Sequence, residues 1–575
     1  MEQTIIALDL IDVAAKPDST LTSTDKQPFV DLTQLKNDSL SVLKYATLED
    51  NFFLLDGTFE SFPEAPASED MGYWSSSLSG GNGEFTTNPI LEINFTENHT
   101  SAGLTLTFLE DYPLEINVKW YTLAGIKISE KTFGPDTLYY FCDNQIEDFG
   151  KITIEFTKTK PYRYVKLEKI DYGVYREFSE DEITAASITE EVNPISSEIT
   201  INTAKFSLHS DNGDFDLTGL HGVYKLFQQT QKVHLIQELD TEEKQMGTFY
   251  LDTWKSPNEY NAEFTAVDAI GLMNKTDFKL GQIYTNETAE NIIDAIMASA
   301  GITDYTIEDD LKSVTLSGWI PICTHREALQ HVAFALGAVV DDSRGNTIRI
   351  YKGAQSYGRV IPRSRKFNGS STTLLTYVSD VNLTAHNYVL KDDAEQISTG
   401  TYAIGTYEIH FDTAVFDLTA TGATITESYP NYCIITVGTA GKVTLTGYKY
   451  KDNSSVYNYG VANLPSGAGK NSISCKNATL ISLSNVAEIA QELFIYYQLR
   501  YETSVEIALE NELSGEKVAV QRANGTAYTM ETIEKMDIDL VGGFTAKITT
   551  LGNGINILFA DYLNEKYVGE DLGVI

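Results

Sequence analysis

Apolar and polar residues alternate along most of this chain in short runs, as at 91–95, 104–108, 116–120, 152–156 and 164–170. A period of two puts successive side chains on opposite faces of a strand, so such a chain folds by pairing half-buried strands and must turn often. Turn chemistry falls between the runs: Asp56-Gly57, the tract Gly80-Gly81-Asn82-Gly83, Ala124-Gly125 and Gly134-Pro135. At 575 residues the chain is too long for one core and calls for several domains.

Four regions follow from where the period changes. Residues 1–172 hold seven or eight strands without a helical period, the pattern of a jelly-roll sandwich. The acidic, polar stretch 179–192 reads as a linker, inside a strand-rich region 173–275. Residues 276–372 read as a small α+β domain. There Ala289, Ile292, Ile293, Ile296, Met297 and Ala300 share one helix face, with Thr285 or Asn286 as N-cap and Gly301 as the stop. A second helix starts at Thr324, where Thr324-His325-Arg326-Glu327 has capping-box spacing, and it ends at Gly337. Strand, turn and strand follow at 338–340, 341–345 and 347–351. Residues 373–575 return to strands around a third helix, 485–499, and Asn524-Gly525 marks a hairpin turn. The fold class is mainly β with a minor α+β part.

The chemistry is sparse. A net charge of -39, spread evenly along the chain, disfavours nucleic acid and anionic lipid as partners. The start lacks a basic signal sequence, and no run approaches 18 apolar residues, so a soluble protein made in the cytoplasm is expected. Cys142, Cys323, Cys433 and Cys475 stand far apart, which predicts free thiols. The histidines show no metal-ligand spacing. His325 and His331, six apart on one helix, fall on different faces and read as capping or surface residues. No nucleophile motif and no phosphate-binding loop occurs. The acid pairs Asp309-Asp310, Asp341-Asp342 and Glu242-Glu243 read as solvated turns, and the tract from Asp211 to Asp216 reads as an Asx turn in preference to a calcium loop. Aromatic pairs remain: Trp74, Trp120 and Tyr121 are candidates for stacking on a sugar ring, against the alternative that they fill the sandwich core. No catalytic residue, metal or cofactor is expected, and the chain reads as a non-enzyme.

Several stretches carry a resemblance. Gly247-Thr-Phe-Tyr-Leu-Asp-Thr-Trp254, Phe264-Thr-Ala-Val-Asp-Ala-Ile-Gly-Leu-Met273, Trp319-Ile-Pro321, Thr324-His-Arg-Glu-Ala-Leu329 and Phe334-Ala-Leu-Gly337 follow one another in the order found in central baseplate hub proteins of bacteriophage tails. Gly515-Glu-Lys-Val-Ala-Val520 and Leu540-Val-Gly-Gly543 are similar to the last barrel of such hubs. The resemblance implies two hub-type β-barrels, at 173–275 and 373–575, flanking the α+β domain. It also implies a homotrimer at the tail tip of a virion or a phage-tail-like contractile particle, with the tail tube protein, the spike protein and other baseplate proteins as partners. Gly72-Tyr-Trp-Ser75, Phe85, Asn88-Pro-Ile-Leu91 and Tyr164-Val-Lys-Leu167 resemble galactose-binding-like (discoidin-type) jelly rolls. That gives the alternative reading, a tail adhesin or receptor-binding protein whose N-terminal jelly roll takes host cell-surface carbohydrate.

Overall fold

The computed structural model describes residues 2–36, 72–179, 181–211, 226–239, 242–367, 370–461, 469–475, 478–522 and 527–558, with isolated positions 47, 49, 215 and 464. Among the described residues strands make up 54% and helices 12%, so the fold is mainly β, as its alternation requires.

The chain opens on β1 (Glu2–Ile11) and a short helix α1 (Ala15–Asp18), then enters an N-terminal unit. Its strands are β2 (Thr20–Thr22), β3 (Tyr73–Trp74), β4 (Ile90–Phe108), β5 (Glu115–Tyr121), β6 (Lys127–Phe133), β7 (Tyr139–Lys158) and β8 (Lys166–Asp171). They form one seven-stranded sheet ordered β3-β8-β4-β7-β5-β6, with β2 beside β4. Register shifts between Asn94 and Gly103 bend the long β4–β7 pair. The sheet encloses Phe29, Trp74, Leu91, Ile93, Trp120, Ile154 and their neighbours.

The next strands are β9 (Gly173–Phe178), β10 (Ile183–Glu191), β11 (Thr203–His209), β12 (Lys232–Leu239), β13 (Glu242–Asn258) and β14 (Asn261–Val267). An α+β module follows: α2 (Ala269–Met273), β15 (Asp277–Phe278), β16 (Ile283–Thr288), α3 (Ala289–Ala300), β17 (Tyr305–Ile307), α4 (Asp309–Lys312), β18 (Thr315–Trp319), β19 (Cys323–Thr324), α5 (His325–Leu336), β20 (Ala338–Asp341) and β21 (Ile348–Lys352). Beyond it come β22 (Gln355–Ile361), β23 (Ser371–Leu374) and β24 (Asp380–Ala385). A strand-rich insert contains β25 (Tyr388–Leu390), β26 (Glu395–Tyr402), β27 (Gly405–His410), β28 (Val415–Thr421), β29 (Thr424–Ser428), β30 (Tyr432–Val437) and β31 (Gly441–Asp452). It closes around Cys433, Ile435, Val437, Val443 and Leu445. Then β32 (Ser455–Gly460) and β33 (Ser472–Ser474) flank β24, and α6 (Val486–Tyr497) leads into β34 (Tyr501–Ala508), β35 (Glu516–Gln521), β36 (Ala527–Asp539) and β37 (Thr545–Leu558).

One sheet organises the centre. Thirteen strands run β23-β34-β37-β36-β10-β11-β14-β13-β12-β1-β9, with β35 on β36 and β22 parallel to β35. The two barrels expected at 173–275 and 373–575 are therefore not separate closed barrels, because β10 pairs with β36 and joins both strand groups edge to edge. Their apolar faces share a core that holds Leu8, Phe206, Leu235 and Phe264 from one group with Val505, Val518, Met536 and Ile548 from the other.

Several boundaries differ from the sequence reading. β1, counted with the N-terminal region, pairs with β12 and β9 in the large sheet. The stretch 179–192 is no linker: β10 lies within it, between β11 and β36. A register shift between Ile183 and Ala185 inverts its alternation, so Ile183, Ala186, Ile188 and Glu190 all face inward. The passage between units lies instead at Asp171–Gly173, where β8 runs into β9. Gly173 has φ +153°, and a Cβ there would stand 2.0 Å from Leu10 O, so only glycine fits the crossing. Helix α3 is capped by Thr288, not by Thr285 or Asn286, because residues 283–288 are held in β16 against β18. The capping box at Thr324, the left-handed stops at Gly301 and Gly337, and the body of α6 stand where their residues place them. Helix α6 belongs with the module: its Val486, Ile489, Ala490 and Leu493 pack into the core built by α3 and α5.

Candidate functional site

The sugar-stacking candidates do not form a surface. Trp74 and Trp120 are 1% and 0% exposed. Trp74 meets Phe29 edge-on at 5.6 Å, and the Lys166 ammonium sits 4.4 Å from its ring centre, while Trp120 meets the edge of Phe133. Both indoles are core, so neither offers a face to a sugar. Tyr121 is half-buried where β5 pairs with Lys151 of β7 and Lys127 of β6.

His325 and His331 are also internal, correcting their surface reading. His325 is 2% exposed and held between Thr276 and Ser299, and His331 faces the Thr479 hydroxyl at 3.1 Å. Burial lowers both, His331 to about 4. Burial likewise pushes Cys142 and Cys323 up to about 12, away from reactive thiolates. Asp309 and Asp310 begin α4, but Asp341 and Asp342 are buried, not solvated. Asp211 pairs with His209, while Asn212, Asp214 and Asp216 lie outside the described residues, as do Asn524 and Gly525. Among the described residues no three His, Cys, Asp or Glu side chains converge as metal ligands, and no helix is long and apolar enough to cross a membrane.

What the structure does assemble is a joint that sequence reasoning missed. Between Asp342 and Asp380 there is no acid, yet seven bases occur: Arg344, Arg349, Lys352, Arg359, Arg363, Arg365 and Lys366. This segment leaves the module through β21 and crosses to the large sheet through β22. Arg344 Nε lies 2.6 Å from Glu190 Oε1 on β10. Arg349 pairs with Asp341, and Lys352 reaches Glu488 and Glu492 on α6 at 3.0 and 2.8 Å. Arg359 pairs with Glu516 at the start of β35. Arg365 holds Glu512 with a two-pronged fork of 2.7 and 2.9 Å and donates to Ala508 O at 2.6 Å. Lys366 donates to Gln521 O.

Three of the carboxylates at these contacts are nearly closed to water: Glu190, Glu512 and Glu516 are each 1% exposed. For Glu512 burial raises the pKa, but the Arg365 fork outweighs it and holds the carboxylate below its usual range. Burial wins at Glu190 and Glu516, which stay raised despite Arg344 and Arg359. Such pairs do little net stabilising but are costly to break from one side, so they fix position. The signal was present as a run of bases without acids in an acidic chain; its partners, up to 157 residues away, were not.

The chain matches no protein-family model, and no curated protein matches it. Among solved structures it is similar to a tail protein from Neisseria meningitidis MC58 at 11% identity and a TM-score of 0.40, over 66% of this chain and 94% of that one. A prophage MuSo2 43 kDa tail protein from Shewanella oneidensis gives 12% and 0.39, over 66% and 96%. A prophage tail protein from Listeria monocytogenes EGD-e gives 10% and 0.36, over 68% and 95%. Likeness at that level says nothing about what this chain does.

Proposed function

We propose that this chain is a structural hub at the tip of a phage tail or tail-like particle, working as a homotrimer between tail tube and spike. One observation carries the reading: two strand groups from distant parts of the sequence join side by side through β10 and β36 into one open sheet, with β9 and β23 at its ends. A sheet so arranged supplies two neighbouring segments of a ring from one subunit, and an open sheet edge accepts a further strand. The module and its basic segment fix the angle between the segments. In this reading the N-terminal unit, galactose-binding-like in its sequence motifs, is an adaptor held rigidly by β1 and the β8–β9 crossing. The chain works by assembly, without catalysis. The carbohydrate reading loses its support with Trp74 and Trp120 enclosed.

Light scattering on the purified full chain tests the proposal. A mass three times 63.8 kDa is expected, together with three copies per particle in a map of the tail tip. A strictly monomeric chain absent from particles overturns it.

A further inference from the structure

Four carboxyl groups are buried where the end of β20 meets the large sheet: Glu190 on β10, Asp268 at the N-cap of α2, and Asp341 and Asp342. Two guanidiniums face them, Arg344 on Glu190 and Arg349 on Asp341. Lys244 on β13 donates to Glu510 O and Asn511 Oδ1. Beyond it Glu512 and Glu516 are matched by Arg365 and Arg359.

Asp268 and Asp342 are bridged by Asn202, whose backbone N–H donates to one and whose side-chain amide donates to the other. Around them are neutral donors: Asn202 Nδ2 donates to Asp342 Oδ1 at 2.9 Å, and Asn202 N and Gly271 N donate to Asp268. The charge balance sets their protonation. Against two guanidiniums, four carboxyls are neutral overall only when two are protonated, and each proton lost leaves one more uncompensated buried charge.

We propose that this joint is a proton-operated latch between the α+β module and the large sheet, closed while the Asp268–Asp342 pair is protonated and loosened as it loses protons. The moving part is the β20–β21 turn. Asn202 on Asp342 and Ser343, Arg344 on Glu190 and Met246, and Thr248 N on Gly345 O hold that turn to the sheet. Burial pushes Asp268 well above the ordinary carboxylate range and Asp342 up to about 6. Because the folded-state values are raised, the protonated form is the one the fold favours. For Asp342 the contribution is complete below the unfolded value near 3.8 and is lost as pH rises through about 6.

Hydrogen exchange followed by mass spectrometry on the full chain at pH 5.5 and 8.5, corrected for intrinsic exchange rates, tests the latch. Protection of residues 338–347 and 268–273 should fall roughly tenfold at the higher pH, the equivalent of one pKa unit, while α3 stays protected. Asp342→Asn, which cannot ionise, should abolish the difference. If that variant fails to fold, Asp268→Asn makes the same comparison, since Asn also caps a helix. A wild-type chain with equal protection at both pH values, or a folded Asn variant with undiminished pH dependence, overturns the proposal.

Discussion

At the scale of single residues, several charged groups buried in this chain are each met by a specific partner. His99 is enclosed between Asp12 at 3.0 Å and Asp18 at 2.9 Å, tying α1 to β4. Lys166 is 2% exposed and sits 2.6 Å from Glu49. His331, on the buried side of α5, is kept neutral by its surroundings. Its depressed folded value means the unfolded chain binds a proton that the folded chain refuses. Stability therefore falls as pH drops from about 6.5 towards 4, by on the order of 3 kcal/mol in full. Acid denaturation of His331→Gln should begin at lower pH than that of the wild type, and an unchanged midpoint would remove the histidine from the acid response. Trp120 poses a simpler case. Truncation to Ala leaves a large void in the N-terminal core and should cost roughly 3–5 kcal/mol. Calorimetry should show that unit melting earlier, whereas an unaltered melt would return the indole to the surface.

At the scale of elements, what could be read in the sequence depended on how local its cause was. The limits of α5 were legible because Thr324, Glu327 and Gly337 settle them within one or two turns. β10 was not, because its bulge hides the alternation and because its neighbours β11 and β36 are fixed by distant pairing. The tryptophans were legible as core or surface but not which, since only the folded sheet decides what covers them. The basic segment was half legible: its bases are countable, but Glu190, Glu512 and Glu516 become their partners only after the sheet forms. Its role can be measured. Arg365→Ala leaves Glu512 buried without its guanidinium, and breaking a buried pair from one side costs about 3–5 kcal/mol. Urea denaturation should register a loss of that size, with Arg365→Lys recovering part of it. A loss below about 1 kcal/mol would mark the fork as an ordinary surface pair.

At the scale of the whole molecule, charge and assembly pull in opposite directions. Each copy contributes -39, so gathering copies into a ring would bring like charges together, while Arg344, Arg359 and Arg365 of the joint are already paired inside the subunit. In the proposed trimer, association would rest on strand pairing and apolar contact, with electrostatics as a penalty that salt screens over a Debye length of about 8–10 Å. In the hub proposed above, an acid-rich ring would also keep DNA from adhering to its passage. The same argument fixes the sign of a measurement. If the chain trimerises as proposed, the trimer fraction at fixed protein concentration should rise between 50 and 500 mM NaCl, about a tenfold change in ionic strength that shortens the screening length roughly threefold. Sedimentation velocity reads this directly. A trimer that dissociates on adding salt would mean that attractive ion pairs cross the interface, and that the acidity is patterned to recognise a neighbour instead of merely being endured in the ring.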